Sequence, residues 1–322
     1  MTLADDGLDL PRAVLNKWAR ARLEAGGRVF IGPARGEGRW ALGASELTWD
    51  SRVFGLGCGQ LFPVITDLWP GRTTARDEAE ATEVGRRTVG RAVTWLKKRG
   101  VRFVSARIDG RDLISAHVLE AAGFRLMDVS TIHRLDLPAD LPPGRLPRGL
   151  RLRPAEPGDG RRLAGLAARS MTDVKYFQDR FTVDPVLAPG AFRMYQDWWR
   201  NSIRGERADE VWVLTEGARP IGFITLTGPD PIEAALTNHA GGWVVLNGLA
   251  PAWRGRGLYR VLVLKALRRI QARGGQSARV KTKLTQHAVQ RTWQTLGARL
   301  AASSLVFHRL LNPPSGSPDG QS

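Results

Sequence analysis

The most constraining feature of this chain is an internal repeat. Residues 101–137 begin with VRFVSARID, pass through a helical stretch closing in LEAAGFRL, and end in VSTIHRLDL. Residues 277–311 begin with SARVKTKLT, pass through a helical stretch closing in WQTLGARL, and end in SSLVFHRLL. Val104 matches Val280, Gly123 matches Gly297, and the pair His133-Arg134 matches His308-Arg309. Each glycine follows the last turn of a helix, where a positive φ lets the chain reverse into a strand. The repeat therefore demands two related units, each ending in strand, helix, strand.

The remaining segments fit that frame. Strands are expected near 28–31, 44–49 and 58–63, and a helix over 79–99 carries Val89, Val93 and Leu96 on one face. In the second half, helices are expected near 159–168 and 192–203. The strands VWVLTE, IGFITLTG and WVVLNGLA follow. The fold class is α+β, with two α/β halves whose mostly antiparallel sheets are flanked by helices. The stretch LPADLPPGRLPRG (137–149) is the best linker, by its prolines and glycines. It divides a first domain, 1–142, from a second, 150–311. The polar tail 312–322 is expected to be disordered.

Lys and Arg number 48 against 31 acidic residues, a formal charge of +17. Such a surface favours anionic partners. Specific nucleic-acid binding is not expected, because no aromatic-interleaved basic sheet or recognition helix accompanies the charge. The single cysteine, Cys58, excludes an intrachain disulfide and a multi-cysteine metal site, and it lies in an apolar stretch that suits a small core residue. No metal is expected. The start, MTLADDGLDLP, lacks the basic and apolar regions of a signal peptide, and no stretch is long and apolar enough to span a membrane. These features predict a cytoplasmic protein.

The chemistry concentrates in WVVLNGLAPAWRGRGLYRVLVLKALRRI. An apolar strand meets Pro251, which cannot continue a ladder. Arg254-Gly255-Arg256-Gly257 then opens an amphipathic helix. Glycines let successive amides turn inward, a helix start adds unpaired donors and partial positive charge, and two arginines add full charges. That combination suits a pyrophosphate.

Arg254-Gly255-Arg256-Gly257-Leu258-Tyr259 resembles the Q/R-x-x-G-x-G/A loop of the GCN5-related N-acetyltransferase (GNAT) superfamily. The likeness extends to LTWDSRVFG, the 104–138 stretch, FRMYQDWWRNSIRGE and the C-terminal unit, and is nearest to the dTDP-fucosamine acetyltransferase type. Such proteins also fuse a degenerate first half to a working second half. The resemblance implies direct attack of a small-molecule amine, such as that of an amino sugar or nucleotide sugar, on acetyl-CoA. It implies that Arg254 to Tyr259 hold the pyrophosphate and that the backbone N–H of Leu249 stabilises the oxyanion. Three positions depart from the pattern. Tyr259 replaces the small final residue of the loop. His287 replaces the Asn that commonly begins the next helix. Trp293 stands where the family's tyrosine acid is expected, and an indole cannot deliver a proton. Tyr259 becomes the nearest acid, with His287 and Trp293 expected beside the cofactor.

Asn247 and His239 are the polar residues beside the third strand that could hold a water near the amine. Tyr195 and Trp199 are expected to wall the acceptor, although their helical spacing suits core packing equally. The first half lacks the loop and carries Asp77, Glu78, Glu80 and Glu83 at its helix start, where carboxylates would repel a pyrophosphate, so it is expected to bind no CoA. A homodimer is one expected assembly. The competing reading is a catalytically silent acyl-CoA-binding or scaffold protein.

Overall fold

The computed structural model describes residues 23–32, 40–66, 75–173 and 178–311. The predicted tail from Asn312 lies outside them. The chain forms two compact units. One gathers the described residues up to Val129 together with those from Ser303, and the other runs from Ser130 to Ala302.

In the first unit, β1 (Arg28–Ile31), β2 (Trp40–Glu46) and β3 (Cys58–Thr66) form antiparallel pairs. β3 runs parallel to β4 (Phe103–Asp109), and β4 pairs antiparallel with β11 (Arg299–Leu310). Helices α1 (Thr48–Phe54), α2 (Ala75–Lys98) and α3 (Leu113–Ala121) connect these strands. Val89, Val93 and Leu96 form the apolar stripe of α2 and are buried with Ile114 and Leu119 of α3, as the helical period requires. Cys58 is a buried core residue. Burial pushes its thiol up to about 12, so it holds no thiolate at neutral pH.

In the second unit the sheet order is β6 (Leu150–Pro154), β7 (Glu210–Glu216), β8 (Arg219–Thr227), β9 (Gly241–Leu249), β10 (Ser277–Lys283), β5 (Arg125–Asp136). Only β9 and β10 are parallel among these pairs. The helices α4 (Gly160–Thr172), α5 (Arg180–Val183), α6 (Ala188–Ile203), α7 (Pro231–Thr237), α8 (Leu258–Ala272) and α9 (His287–Gln294) complete the unit. Its main core joins Leu214, Ile224 and Val244 of the sheet to Leu262, Leu267 and Ile270 of α8 and to Trp293 of α9.

The units do not divide where the prolines suggest. By the repeat, β5 should close the first half and β11 the second. Instead β5 pairs with β10 from Ser130↔Lys283 to Asp136↔Ser277, while β11 pairs with β4 from Leu310↔Phe103 to Ser304↔Asp109. Each unit takes its last strand from the other half of the chain. The division at 1–142 and 150–311 cannot reveal this, because the repeated strands are interchangeable in pattern. The two helix ends do match. Gly123 has φ +78° and Gly297 φ +96°, with Phe124 N–H donating to Leu119 O and Ala298 N–H to Trp293 O.

The linker is not a free tether. Leu137, Leu141 and Leu146 pack on the core of the second unit. Gln271 Nε2 donates to Pro138 O at 2.9 Å and Arg268 Nη2 to Leu141 O at 3.4 Å, with a further contact to Pro142 O. Prolines cannot donate to a ladder, so this extended segment is held by its carbonyls.

Candidate functional site

The site is set by a flaw in the sheet. β9 carries one extra residue against β8 between Val244 and Asn247, and the amide of Leu246 turns to donate to Thr225 Oγ1 at 2.8 Å. A bulge sharpens strand twist, and pairing of β9 with β10 ends at Val244↔Val280. Ala250 N–H donates to Ile221 O. By strand alternation the amides of Asn247 and Leu249 then point away from β8, into the gap beyond the last pair with β10. The two parallel strands splay beyond Val244. The carbonyl of Leu249 is held by Ser170 Oγ of α4 and by Arg254 Nε, each at 3.3 Å. Ser170 carries no motif, and only its approach to Gly248 and Leu249 in the fold reveals it.

Beyond Leu249 a single 3-10 turn (Pro251–Trp253) leads to the loop. Gly255 and Gly257 take φ +74° and +75°, the left-handed region open to glycine at least cost. Among the described residues, the backbone amides of Gly255, Arg256, Gly257, Leu258 and Tyr259 have no protein acceptor, whereas the next amide, Arg260, donates to Gly257 O. Gly255, Arg256 and Gly257 are exposed. A row of unpaired donors at the mouth of a 15-residue helix is a ready anion cradle.

The arginines divide. Arg254 is committed to the protein, bonding Leu249 O and pairing with Asp173 at 3.1 Å, so it braces the loop rather than aiming at a phosphate. Those two bonds use two of its five N–H donors and fix the guanidinium against Leu249 and Asp173. Arg256 is exposed, with its guanidinium 4.8 Å from the ring centre of Trp253.

Two of the sequence departures meet. Trp293 Nε1 donates to the hydroxyl of Tyr259 at 3.4 Å. Trp293 is fully buried, so it contacts the core and not a cofactor surface. Burial raises the Tyr259 hydroxyl well above the ordinary tyrosine value, with the indole bond opposing in part. Leu258 is buried in the core. His287 is exposed in the first turn of α9. Asn247 is half-buried opposite Ile224.

The expected acceptor aromatics are packing residues. Trp199 is fully buried, lies 4.8 Å edge-on to Phe223 and donates to Gly160 O at 3.2 Å. Tyr195 is buried and donates to Asp179, whose carboxylate also caps α5. Both lie on the stripe that α6 turns inward. His239 is also displaced. It precedes the start of β9, eight residues from Asn247, about 26 Å along an extended strand. There its Nε2 meets Arg134 Nη2 at 3.0 Å and Ser277 Oγ at 2.8 Å.

Residues 174–298 match a model of the acetyltransferase (GNAT) family, a span that holds the bulge, the loop and the α8–α9 pair. The second unit contains a GNAT acetyltransferase domain. A curated relative, the spore coat polysaccharide biosynthesis protein SpsD of Bacillus subtilis (strain 168), is 24% identical over 207 residues. That match spans 64% of this chain and 66% of SpsD, just short of two thirds of its length. Among solved structures, a GCN5-related N-acetyltransferase from Sphaerobacter thermophilus shares the fold at TM-score 0.58 and 14% identity, over 86% of this chain and 81% of that one. A tandem GNAT protein from the clavulanic acid biosynthesis pathway does so at TM-score 0.52 and 13% identity, over 89% and 84%. Both cover both units of the chain, so the GNAT domain sits in a tandem fold.

Among the described residues no group of three His, Cys, Asp or Glu could hold a metal, and no helix is long and apolar enough to cross a membrane.

Two histidines outside the loop, His133 buried and His239 half-buried, are expected to make the domain acid-sensitive. His133 on β5 is 1% exposed, with neither ring nitrogen hydrogen-bonded, and burial lowers its pKa. Burial lowers that of His239 too, with Arg134 and Arg279 adding to it. A guanidinium can only donate, so His239 Nε2 accepts and the ring is neutral. Both groups bind protons less readily when folded. Their stabilising contribution is full above the unfolded histidine value near pH 6.5 and is lost as pH falls toward the lowered folded values. Urea melts of the protein from pH 7.5 to 5 should show stability falling, and His239→Gln should flatten that fall. An unchanged slope in the variant would remove His239 from the account.

Proposed function

We propose that this protein transfers an acetyl group from acetyl-CoA to the amine of a small molecule, an amino sugar or a nucleotide sugar, by direct attack. The observation that carries the reading is the row of partnerless amides from Gly255 to Tyr259 directly after a split strand pair, in a GNAT domain. Those amides and Arg256 suit the pyrophosphate of CoA. The parted edge of β9 suits the pantetheine arm, whose amides need backbone partners. The bound thioester supplies an activated acyl carbonyl. The curated relative's name, which concerns polysaccharide biosynthesis, favours a sugar acceptor.

In this reading the Leu249 amide, directed into the gap, donates to the oxyanion that develops on attack. Asn247, on the same stretch of β9, holds a water that takes the proton from the amine. Tyr259 gives the proton to the leaving thiolate. The Trp293 indole can only donate, so it occupies a lone pair of the Tyr259 oxygen and leaves the O–H proton for another acceptor. The raised pKa keeps that proton in place at neutral pH. The Tyr259→Phe variant should lose about 100-fold in kcat with little change in KM for acetyl-CoA. Full kcat in that variant would assign the proton to water.

The first unit repeats the split: β3 and β4 part after Leu61↔Ala106, beside a register shift between β2 and β3. Acidic Asp77, Glu78, Glu80 and Glu83 fall in the first half of α2, so this unit binds no CoA and serves as a structural partner.

The test is thiol release from acetyl-CoA across a panel of amines that includes amino sugars and their nucleotides. Turnover with any of them supports the reading. Binding without turnover favours the alternative, a silent acyl-CoA-binding scaffold, for which the buried Trp293 at the acid's usual place is the motivating observation.

A further inference from the structure

A groove of about 250 Å³ lies between the proline-rich segment and the first two turns of α8. Arg145 comes from the segment, and Arg256 and Arg260 from the loop and helix. None of its ten lining residues is acidic. Arg145 is exposed and has no carboxylate partner among the described residues. Arg260 makes one weak contact, to Thr295 Oγ1 at 3.4 Å. Further along this helix Arg269 pairs with Glu210 at 2.8 Å, and just past its end Arg273 pairs with Asp209 at 3.3 Å. Three guanidiniums gathered without a counter-charge repel one another, a cost that a bound anion removes.

The segment is placed for this. It runs antiparallel along α8, with Pro138 by Gln271, Pro142 by Arg268 and Gly144 against Leu264 and Val261. A side chain at Gly144 would lie within 3.7 Å of all three residues it packs on, so the fit there is close. The carbonyl anchors and the packed leucines hold the segment in register, and that register delivers Arg145 to the groove beside Arg256. An unanchored linker of this composition would not present one arginine at one place.

We propose that the groove takes a phosphomonoester, the 3′-phosphate on the adenosine of CoA, and that Arg145 with Arg260 makes the protein prefer CoA over dephospho-CoA. This rests on the acetyl-CoA reading above. A guanidinium fork suits a terminal phosphate, whose oxygens are open to two or more donors. The groove adjoins the free amides through Arg256, Gly257 and Leu258, so one ligand carrying several phosphates can span both.

Calorimetric titration of the full chain, and of its Arg145→Gln and Arg145→Gln/Arg260→Gln variants, with CoA and dephospho-CoA tests this. The expected result is tighter binding of CoA by about 10-fold or more in the parent. That preference should shrink in R145Q and vanish in the double variant, with dephospho-CoA affinity unchanged. Both positions lie on the surface of the unit, and matching thermal melts would exclude misfolding. Equal affinities for CoA and dephospho-CoA in the parent would overturn the proposal and leave the acetyl-CoA reading standing. Equal weakening of both ligands in the variants would do the same. No binding of either ligand would remove the acetyl-CoA reading, and this proposal with it. If a nucleoside diphosphate bound the parent but not R145Q, with the CoA preference intact in both, the groove would belong to the acceptor and the proposal would fall.

Discussion

A fragment of residues 150–322 is expected not to fold alone, and to fold when residues 1–149 are supplied as a separate chain. Without β5, strand β10 loses its seven-residue antiparallel partner from Ser130 to Asp136. The lost strand carries Ile132 and Leu135, both buried, and the attached segment carries Leu137, Leu141 and Leu146. At about 1.5–3 kcal/mol for a fully buried aliphatic side chain, Ile132 and Leu135 alone account for several kcal/mol. A domain's whole stability is about 5–15 kcal/mol. The reciprocal loss falls on the first fragment, whose β4 is stripped of β11 from Ser304 to Leu310. Circular dichroism melts and amide dispersion in NMR spectra of each fragment, apart and mixed, would check this. A cooperative melt from the 150–322 fragment by itself would contradict the exchange of strands.

The Gly255→Val/Gly257→Val variant is expected to raise the dissociation constant for acetyl-CoA by about 100-fold or more. A Cβ at either position meets nothing within 4 Å, so no clash contributes. The effect is conformational. A β-branched residue in the left-handed region is strained by about 1–3 kcal/mol. The relaxed loop would swing its amides out of the row. Two such positions, each near 1.4 kcal/mol, multiply to about 100-fold as the competent fraction falls. The thermal melt without ligand should be unchanged or slightly raised, since strain relaxes in the exposed loop. Undiminished binding would place the cofactor elsewhere. Arg254→Gln separates bracing from binding: it should lower stability through the lost Asp173 and Leu249 contacts, and weaken binding only as the loop loosens.

The loop was legible because its chemistry is local. Two glycines, a proline and a helix start lie within nine residues, and each constrains the backbone by itself. The splay after Val244 was not legible locally, since a bulge arises from pairing with β8, whose partner residues Ile224 and Leu226 lie elsewhere in the sequence. Trp199 and Tyr195 illustrate the limit of spacing. A helical aromatic stripe tells that one face is buried, but not whether the neighbour is a ligand or Phe223 and Asp179.

Sequence alone determined the duplicated strand–helix–strand pattern, the glycine-ended helices and the anion-binding loop, because each depends on backbone preferences within a few residues. Tertiary structure alone decided which copy of the final strand joins which sheet, that Arg254 braces while Arg256 stays exposed, and that Tyr259 meets Trp293. Those outcomes follow from long-range pairing between segments of near-equal propensity, where only packing of particular side chains, such as Ile132 and Leu135 beside β10, separates one arrangement from the other.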